Sequence, residues 1–192
     1  MDLVTYLIEY STDLIASGGI IIGFLLVFLE CFIPALPLSA FVVLNVNAFG
    51  FFFGVLISWL ATCFGSFLCY LIFSYVEEKF IRKWISKKTN KKIALAINKF
   101  KNIKLTKLVF LITLPFTPSF LINIICGIAD VSKEKFLISL LIGKVFTIIF
   151  WGYIGKSILD SLTNIYSLIY IIIALIVSYI ISKIISRKMN IE

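Results

Sequence analysis

Long hydrophobic stretches alternate with short polar segments along most of the chain. Five of these stretches have about the 20 or more residues that a helix needs to cross a bilayer. They are residues 20–46, 49–75, 108–128, 136–154 and 166–185. Residues 1–17 mix acidic and apolar positions, which predicts an interfacial helix or the start of a span, followed by a break or bend at Gly18 and Gly19. The pattern predicts an all-α, polytopic integral membrane protein that forms one membrane domain.

The composition agrees with a membrane protein. Hydrophobic residues make up 61% of the 192 residues, whereas an ordinary soluble domain is about 45–50% apolar. A chain of this length has room for roughly four to six membrane segments. The first basic residue is Lys79, so the N-terminus lacks the positively charged region of a cleavable signal peptide, and no such peptide is expected.

The four prolines of the chain form two pairs with the same P-x-x-P spacing. Pro34 and Pro37 lie within the first hydrophobic stretch, and Pro115 and Pro118 lie within the third. Proline removes a backbone donor and clashes with the preceding helical turn, so each pair is expected to interrupt a helix. In lipid, the freed backbone groups need partners in the protein or in a polar cavity. Matched interruptions in two halves are typical of inverted-repeat transporters with discontinuous helices, and two ordinary kinks are the simpler alternative.

The basic residues are concentrated beside the hydrophobic stretches. Eleven of the eighteen lysines and arginines lie between Lys79 and Lys107, and three more end the chain. Such clusters are typical of cytoplasmic anchors and of sites for anionic headgroups, and they argue against nucleic-acid binding. We therefore expect the basic segment, residues 77–106, and the C-terminus to be cytoplasmic. A plasma membrane is favoured because no targeting segment is visible, although an organelle membrane stays open.

The same charge bias predicts which stretches cross the bilayer. Three hydrophobic stretches lie between the basic segment and the C-terminus, and three crossings would place those two regions on opposite sides. Two crossings keep both inside, so residues 108–128 are expected to enter and leave on the cytoplasmic side. With the basic segment inside, residues 49–75 run from the outside to the inside. An inverted repeat then makes residues 20–46 a re-entrant stretch that dips in from the outside. The predicted fold has two inverted re-entrant hairpins, each built around P-x-x-P, and three or more spanning helices.

Few residues of the hydrophobic stretches carry chemistry. Glu30 follows a long apolar run, and an ionisable residue inside a membrane segment is a candidate for proton uptake and release. Its alternative role is to mark a helix end at the headgroup level. Lys144 can neutralise a phosphate, pair with Glu30, or snorkel toward an interface. Asn45 and Asn123 can belong to a site or simply satisfy carbonyl groups freed at the two breaks.

The residues that metal sites and common catalytic groups require are missing from the sequence. Histidine is absent, the four cysteines lie in apolar stretches without a C-x-x-C motif, and no glycine-rich phosphate loop is present. A zinc site, a Ser-His or Cys-His catalytic pair and a nucleotide site are therefore not expected. We predict no enzyme activity, no metal and no cofactor.

Both halves of the sequence resemble the DedA superfamily. In the first half, Glu30 precedes Pro34 and Pro37, and Phe49-Gly50 opens a stretch with further glycines. In the second half, a proline pair precedes an asparagine, a glycine, a polar turn and a further glycine, in the family's order. These residues are Leu114-Pro115-Phe116-Thr117-Pro118, Asn123, Gly127, Phe136 and Gly143. This second half is similar to the VTT-domain branch of the superfamily, which is the SNARE-associated Golgi protein or Tvp-type group. The resemblance of both halves together covers roughly residues 19–155.

The resemblance implies a membrane transport protein that moves phospholipids or polyprenyl phosphates between leaflets, like a flippase or scramblase, with proton coupling in some members. It assigns the proton-responsive role to Glu30. The predicted headgroup path consists of Pro34, Pro37, Pro115, Pro118, Asn123, Gly127 and Lys144. Many members carry an arginine shortly before the second proline pair, but residues 109–113 contain none here, which leaves Lys107 or Lys144 to replace it.

Two other functions stay open at this point. A proton- or ion-coupled transporter of a small solute would use the same polar path. A structural membrane-homeostasis protein would use the paired prolines only to shape its packing. The predicted partners are membrane lipids, either anionic phospholipid or polyprenyl phosphate, and a homo-oligomer is left open.

Overall fold

The computed structural model describes residues 3–33, 36–76 and 97–161, together with positions 176 and 180, and it describes side chains from residue 17 to 75 and from 97 to 155 within them. These residues form helices and contain no strand, which confirms the all-α prediction for this part of the chain. The main helices are α1 (Leu3–Glu30), α2 (Leu38–Val76), α3 (Leu105–Thr113), α4 (Ser119–Ile128) and α5 (Lys133–Ser161). Three predicted features lie outside the described residues: Pro34, residues 77–96 of the basic segment, and nearly all of the last hydrophobic stretch.

The first proline pair lies at the turn of a helical hairpin. α1 ends at Glu30, residues 31–37 are not helical where they are described, and α2 begins at Leu38 with Pro37 directly before it. α1 and α2 pack against each other along the hairpin. The break in the helix that the first proline pair predicts is therefore confirmed.

Two glycines bend the helices on either side of this turn. Gly19 in α1 has φ 68° and ψ −172°, and Gly50 in α2 has φ 78° and ψ 164°. Both pairs of angles lie in a region that glycine alone occupies readily. The bend at Gly19 confirms the predicted break, and the bend at Gly50 separates a hairpin arm from the long helix at residues 51–76. Residues 20–49 are termed the first hairpin.

The second half of the chain repeats this plan. α3 and α4 are separated by residues 114–118, which carry the second proline pair. A polar turn at residues 129–132 then leads into α5, which continues to Ser161 and is longer than the predicted stretch. Residues 105–128 are termed the second hairpin. α2 packs against α4 and α5, and α5 also packs against α3.

The long helices present apolar side chains to their surroundings. Leu38–Tyr75 and Lys133–Gly155 have the length and composition to cross a membrane. In the most apolar 18-residue segment of each helix, only 28% and 44%, respectively, is buried. Phe52, Phe64 and Phe146 are 72%, 60% and 58% exposed. Contiguous apolar surface of this kind is unfavourable in water, so these faces suit the hydrocarbon of a bilayer.

The described end of the basic segment is anchored to the helices. Residues 97–101 are helical, and Phe100 and Ile103 are buried. Both side chains join an apolar cluster that includes Leu108 and Phe136. Buried apolar contacts therefore hold this end of the segment against the second half of the protein.

Candidate functional site

A cavity of about 410 Å³ lies where the two hairpins meet. The first hairpin contributes Glu30 and Ser39 to its lining, and the second contributes residues 115–121. α5 adds Thr147 and Trp151. The two interruptions that the prolines create, although far apart in sequence, therefore line one space.

Glu30 supplies the carboxylate of this cavity. It is the last residue of α1, and its side chain is 8% exposed. Its Oε2 lies 3.8 Å from the Cys31 Sγ, and that thiol also lies 3.6 Å from the Ser66 Oγ and 3.6 Å from the Thr62 carbonyl oxygen of α2. A thiol is a weak donor, so this contact leaves the carboxylate available to a ligand. Glu30 does end a helix, as one alternative predicted, but its side chain is buried beside the cavity.

Lys144 supplies a positive charge behind the part of the lining that the second hairpin forms. It lies in the middle of α5, is 1% exposed, and donates a hydrogen bond from Nζ to the Ser119 Oγ at 2.6 Å. Ser119 is the first residue of α4 and lines the cavity. The snorkelling alternative is wrong, because the ammonium group is buried within the protein. Lys107, the other candidate for the missing arginine, is exposed.

Thr147 satisfies backbone groups that the second interruption leaves free. Its Oγ1 lies 2.9 Å from the Ile112 carbonyl oxygen and 3.0 Å from the Thr113 carbonyl oxygen, at the end of α3. The last carbonyl groups of a helix have no partner within that helix, so the hydroxyl group compensates for the break. Sequence reasoning proposes the two asparagines for this role, together with Thr113, Thr117 and Ser119 beside the second break, and it misses Thr147. The available signal was a threonine within an apolar helix that also carries Lys144.

We expect Thr147→Val to lower the free energy of unfolding by about 1–3 kcal/mol, because the substitution leaves buried carbonyl groups unpaired. Thr147→Ser keeps the hydroxyl group and should retain most of the stability. Thermal unfolding of the purified protein in detergent measures both effects. A valine variant that melts at the wild-type temperature would contradict the role assigned to Thr147.

Asn45 and Asn123 connect helices and do not line the cavity. The Asn45 Nδ2 donates to the Gly23 carbonyl oxygen at 3.1 Å and to the Ser58 Oγ at 3.0 Å. This side chain therefore ties both arms of the first hairpin to the long helix that follows. Asn123 is 1% exposed and contacts the Cys69 thiol of α2. It lies between α4 and α2 and is not among the residues that line the cavity.

The remaining predicted path residues divide between the cavity and the packing around it. Pro115 and Pro118 line the cavity, and Pro37 lies beside two of its lining residues. Gly127 instead lies where α4 crosses α2, and a Cβ atom there would be 2.7 Å from the Tyr70 carbonyl oxygen. Gly127 therefore sets the distance between two helices.

The chemistry of the cavity is that of a binding site for a charged group. The first hairpin contributes a carboxylate, the second contributes a hydroxyl group that is bonded to an ammonium group, and aromatic side chains also line the cavity. Within the described ranges, no three His, Cys, Asp or Glu side chains come together as ligands for a metal ion. The arrangement can bind and orient polar groups of both charges.

Two proteins of Bacillus subtilis are similar in sequence to this chain. It is similar to the uncharacterized membrane protein YhjE of Bacillus subtilis (strain 168), with 31% identity over 159 residues that cover 81% of this chain and 75% of that protein. It is also similar to the uncharacterized protein YqeD of the same organism, with 28% identity over 147 residues that cover 71% and 66%. No solved structure matches the chain.

A family profile covers the whole site described above, apart from Glu30. The profile of the VTT domain matches residues 33–157, which include both proline pairs, the cavity lining on the second hairpin, and Lys144. This match spans well over half of the 192 residues. The chain therefore belongs to the VTT-domain family of membrane proteins, the DedA/SNARE-associated family.

Proposed function

We propose that the protein translocates the headgroup of a phospholipid or a polyprenyl phosphate between the two leaflets of its membrane. The observation that supports this most directly is the cavity between the two interrupted hairpins. Non-helical backbone is tolerated at membrane depth where it is buried in protein or lines a polar space. The headgroup would pass through the cavity while the acyl or prenyl chains stay in the surrounding hydrocarbon.

The topology in this proposal is two re-entrant hairpins that enter from opposite sides of the plasma membrane. The long helix at residues 51–76, α5 and the stretch at residues 166–185 then cross the bilayer, within one membrane domain that comprises residues 1–192. The basic segment, residues 77–106, and the C-terminus lie in the cytoplasm. Exposed lysines at the start of α3 support this orientation, since positive charge is concentrated on cytoplasmic loops.

The two buried charged groups have separate roles in the proposal. Lys144 attracts the phosphate and replaces the arginine that many family members carry before the second proline pair. Glu30 takes up and releases a proton and so links headgroup movement to a proton gradient. These roles are supported by the burial of both groups, since Glu30 lines the cavity and Lys144 is bonded to Ser119, which also lines it, and an intramembrane ionisable residue is costly without a function.

Leaflet exchange in liposomes tests this function. The purified full chain is reconstituted, and exchange is followed separately for a fluorescent phospholipid and a fluorescent polyprenyl phosphate. Protein-dependent exchange of either lipid supports translocation and identifies the class of lipid. No exchange of either, with folded protein and an imposed pH gradient, would contradict it and favour a solute transporter or a structural role.

Filling the cavity should stop the exchange. Ser39 lines the cavity from the first hairpin, so Ser39→Trp places an indole ring in the proposed path. We expect exchange to fall to the rate of protein-free liposomes. The matched control is Ile142→Trp, which adds the same ring at a position that is 46% exposed on the outer face of α5. Equal exchange rates in the two variants would argue against a path through this cavity.

A further inference from the structure

A column of buried hydroxyl groups runs along the face of α2 that the first hairpin covers. Ser58, Thr62 and Ser66 recur at every fourth residue, so they share one side of the helix, and each is 0% exposed. Hydroxyl groups at membrane depth need hydrogen-bond partners. The partners of these three lie on the first hairpin, at Asn45 and Cys31. The seam between the hairpin and the long helix is therefore polar along its length.

The column begins at Asn45, near the bends at Gly19 and Gly50. The Asn45 Nδ2 donates to the Ser58 Oγ at 3.0 Å, whereas the Asn45 Oδ1 is buried and has no hydrogen-bond partner among the described atoms. Asn45 is 1% exposed, so this acceptor is enclosed by protein. A water molecule is the usual partner of a buried polar atom that the protein itself does not satisfy. At both bends nothing lies within 4 Å of the position of a Cβ atom, which leaves room for water to approach.

The column ends at the Cys31 thiol, which connects it to Glu30. The Cys31 Sγ lies 3.8 Å from the Thr62 Oγ1 and 3.6 Å from the Ser66 Oγ, and either hydroxyl group can donate to it. The thiol can in turn donate to the Glu30 Oε2 at 3.8 Å. Gly65 permits this close approach, because a Cβ atom there would lie 2.9 Å from the sulfur. A hydroxyl group, a thiol and a carboxylate therefore follow one another, and each of the first two can donate to the next.

We propose that this column carries protons between the base of the first hairpin and Glu30. Thr62 passes its hydroxyl proton to the Cys31 sulfur while the thiol releases its own proton to the carboxylate. One S–H bond breaks and another forms, and an O–H bond forms on Glu30. The Thr62 oxygen regains a proton through Ser58, one helical turn away, and the water at Asn45. No electrons are gained or lost, and the net result is one proton moved to Glu30.

The groups around the thiol make Glu30 the proton acceptor. The titratable side chains that act on Cys31 are Glu30 of α1, Lys144 of α5, and Cys63 and Cys69 of α2. An ammonium group offers no lone pair, and a thiol is only a weak acceptor. Of these four groups, the carboxylate is therefore the one that takes up a proton from the thiol.

The column gives Glu30 a second route for protons. The carboxylate already lines the cavity between the two hairpins, which is the first route. A residue that relays protons across a membrane must exchange them with both sides, so one route is not enough. In the proposed topology the base of the first hairpin faces the outside, and the column leads from there to Glu30. This inference rests on the proposed function and deepens it, because it names the residues that bring the proton to the carboxylate.

Proton flux into liposomes tests the path. The purified full chain is reconstituted in vesicles that contain a phospholipid and a polyprenyl phosphate. A trapped pH-sensitive dye reports acidification after an external pH step, and a potassium ionophore balances the charge. We expect the wild-type protein to raise the flux above that of protein-free vesicles, and Glu30→Gln to remove the increase. The absence of any protein-dependent flux in the folded wild type would overturn the proposal, and this comparison needs no variant.

Single substitutions then locate the path. Thr62→Val keeps the shape of the side chain but lacks the hydroxyl group, so the flux should fall to the protein-free rate, whereas Thr62→Ser should keep it. Cys31→Ala should also abolish the flux, and Cys31→Ser should retain it. Thermal unfolding in detergent establishes that each variant folds.

Two control variants distinguish a proton path from simple packing. Ser66→Ala removes a hydroxyl group from the same thiol, but Ser66 lies beyond Thr62 as seen from Asn45, so the flux should be unchanged. Cys126→Ala makes the thiol change at a buried residue of α4 and should also behave as the wild type. Wild-type flux in a folded Thr62→Val protein, or an equal loss of flux in Ser66→Ala, would overturn the path.

Lipid exchange measured in the same vesicles separates this inference from translocation. Proton flux that depends on Thr62 without any lipid exchange would support the path and contradict the translocase. Lipid exchange without protein-dependent proton flux would support the translocase and overturn the path.

Discussion

Glu30→Gln should abolish lipid exchange and leave the protein folded. Glutamine has nearly the same size and can keep the contact with the Cys31 thiol, so the end of α1 retains its packing. The amide group can neither carry the negative charge nor release a proton, and both are needed at the cavity wall in the proposed mechanism. We expect exchange in liposomes to fall to the protein-free rate.

The control for this experiment is Glu134→Gln. It makes the same chemical change in the first turn of α5, where the side chain is exposed and away from the cavity. Size-exclusion chromatography and thermal unfolding establish that both variants fold. Exchange at the wild-type rate in a folded Glu30→Gln protein would rule out the role of the carboxylate in translocation.

Gly127→Ala should destabilise the protein by about 1–3 kcal/mol, the usual cost of adding a methyl group to tightly packed structure. The new Cβ atom would lie 2.7 Å from the Tyr70 carbonyl oxygen and 3.0 Å from the Ser74 amide nitrogen. Both are backbone atoms of α2 and cannot rotate away, so α4 must move outward. The start of α4 lines the cavity, and we therefore also expect slower lipid exchange.

Gly152→Ala provides the comparison. Its Cβ atom would meet a methyl group of Val55 at 3.1 Å, and a side chain can adjust where a backbone cannot. Alanine also favours a helix over glycine by about 1 kcal/mol, so this variant should be as stable as the wild type or more so. Thermal unfolding in detergent measures both variants, and a Gly127→Ala protein with unchanged stability would show that α4 does not depend on this close approach.

Much of the fold could be predicted because its strongest determinants are local. Each proline pair interrupts a helix through its own backbone chemistry, so the breaks before Leu38 and Ser119 follow from the residues alone. The break at Gly19 was also visible as a pair of adjacent glycines. The bend at Gly50 was harder to predict, because a single glycine inside a membrane helix often serves only close packing.

The details of the site depend on contacts between residues that are distant in sequence. Lys144 was equally compatible with an interface, and its burial follows from the fold that brings α5 against Ser119. The hydrogen bonds from Thr147 to the end of α3 arise in the same way. The order of the motif residues in the family assigns Asn123 and Gly127 to the headgroup path. In the structure, both residues lie where α4 packs against α2.

The positive φ angles of Gly19 and Gly50 have a consequence for the chirality of the chain. A Cβ atom at either residue would meet no other atom within 4 Å, so an L-alanine would be excluded by handedness and not by lack of room. A D-alanine, which prefers the mirror-image angles, should fit at Gly50 and stiffen the bend. From Ala48 to Ile57 the sequence has no polar side chain, so within this span only Gly50 marks where one helix ends and the next begins. The boundary between the two helices therefore depends on one achiral residue, whose backbone angles an L-amino acid would not adopt.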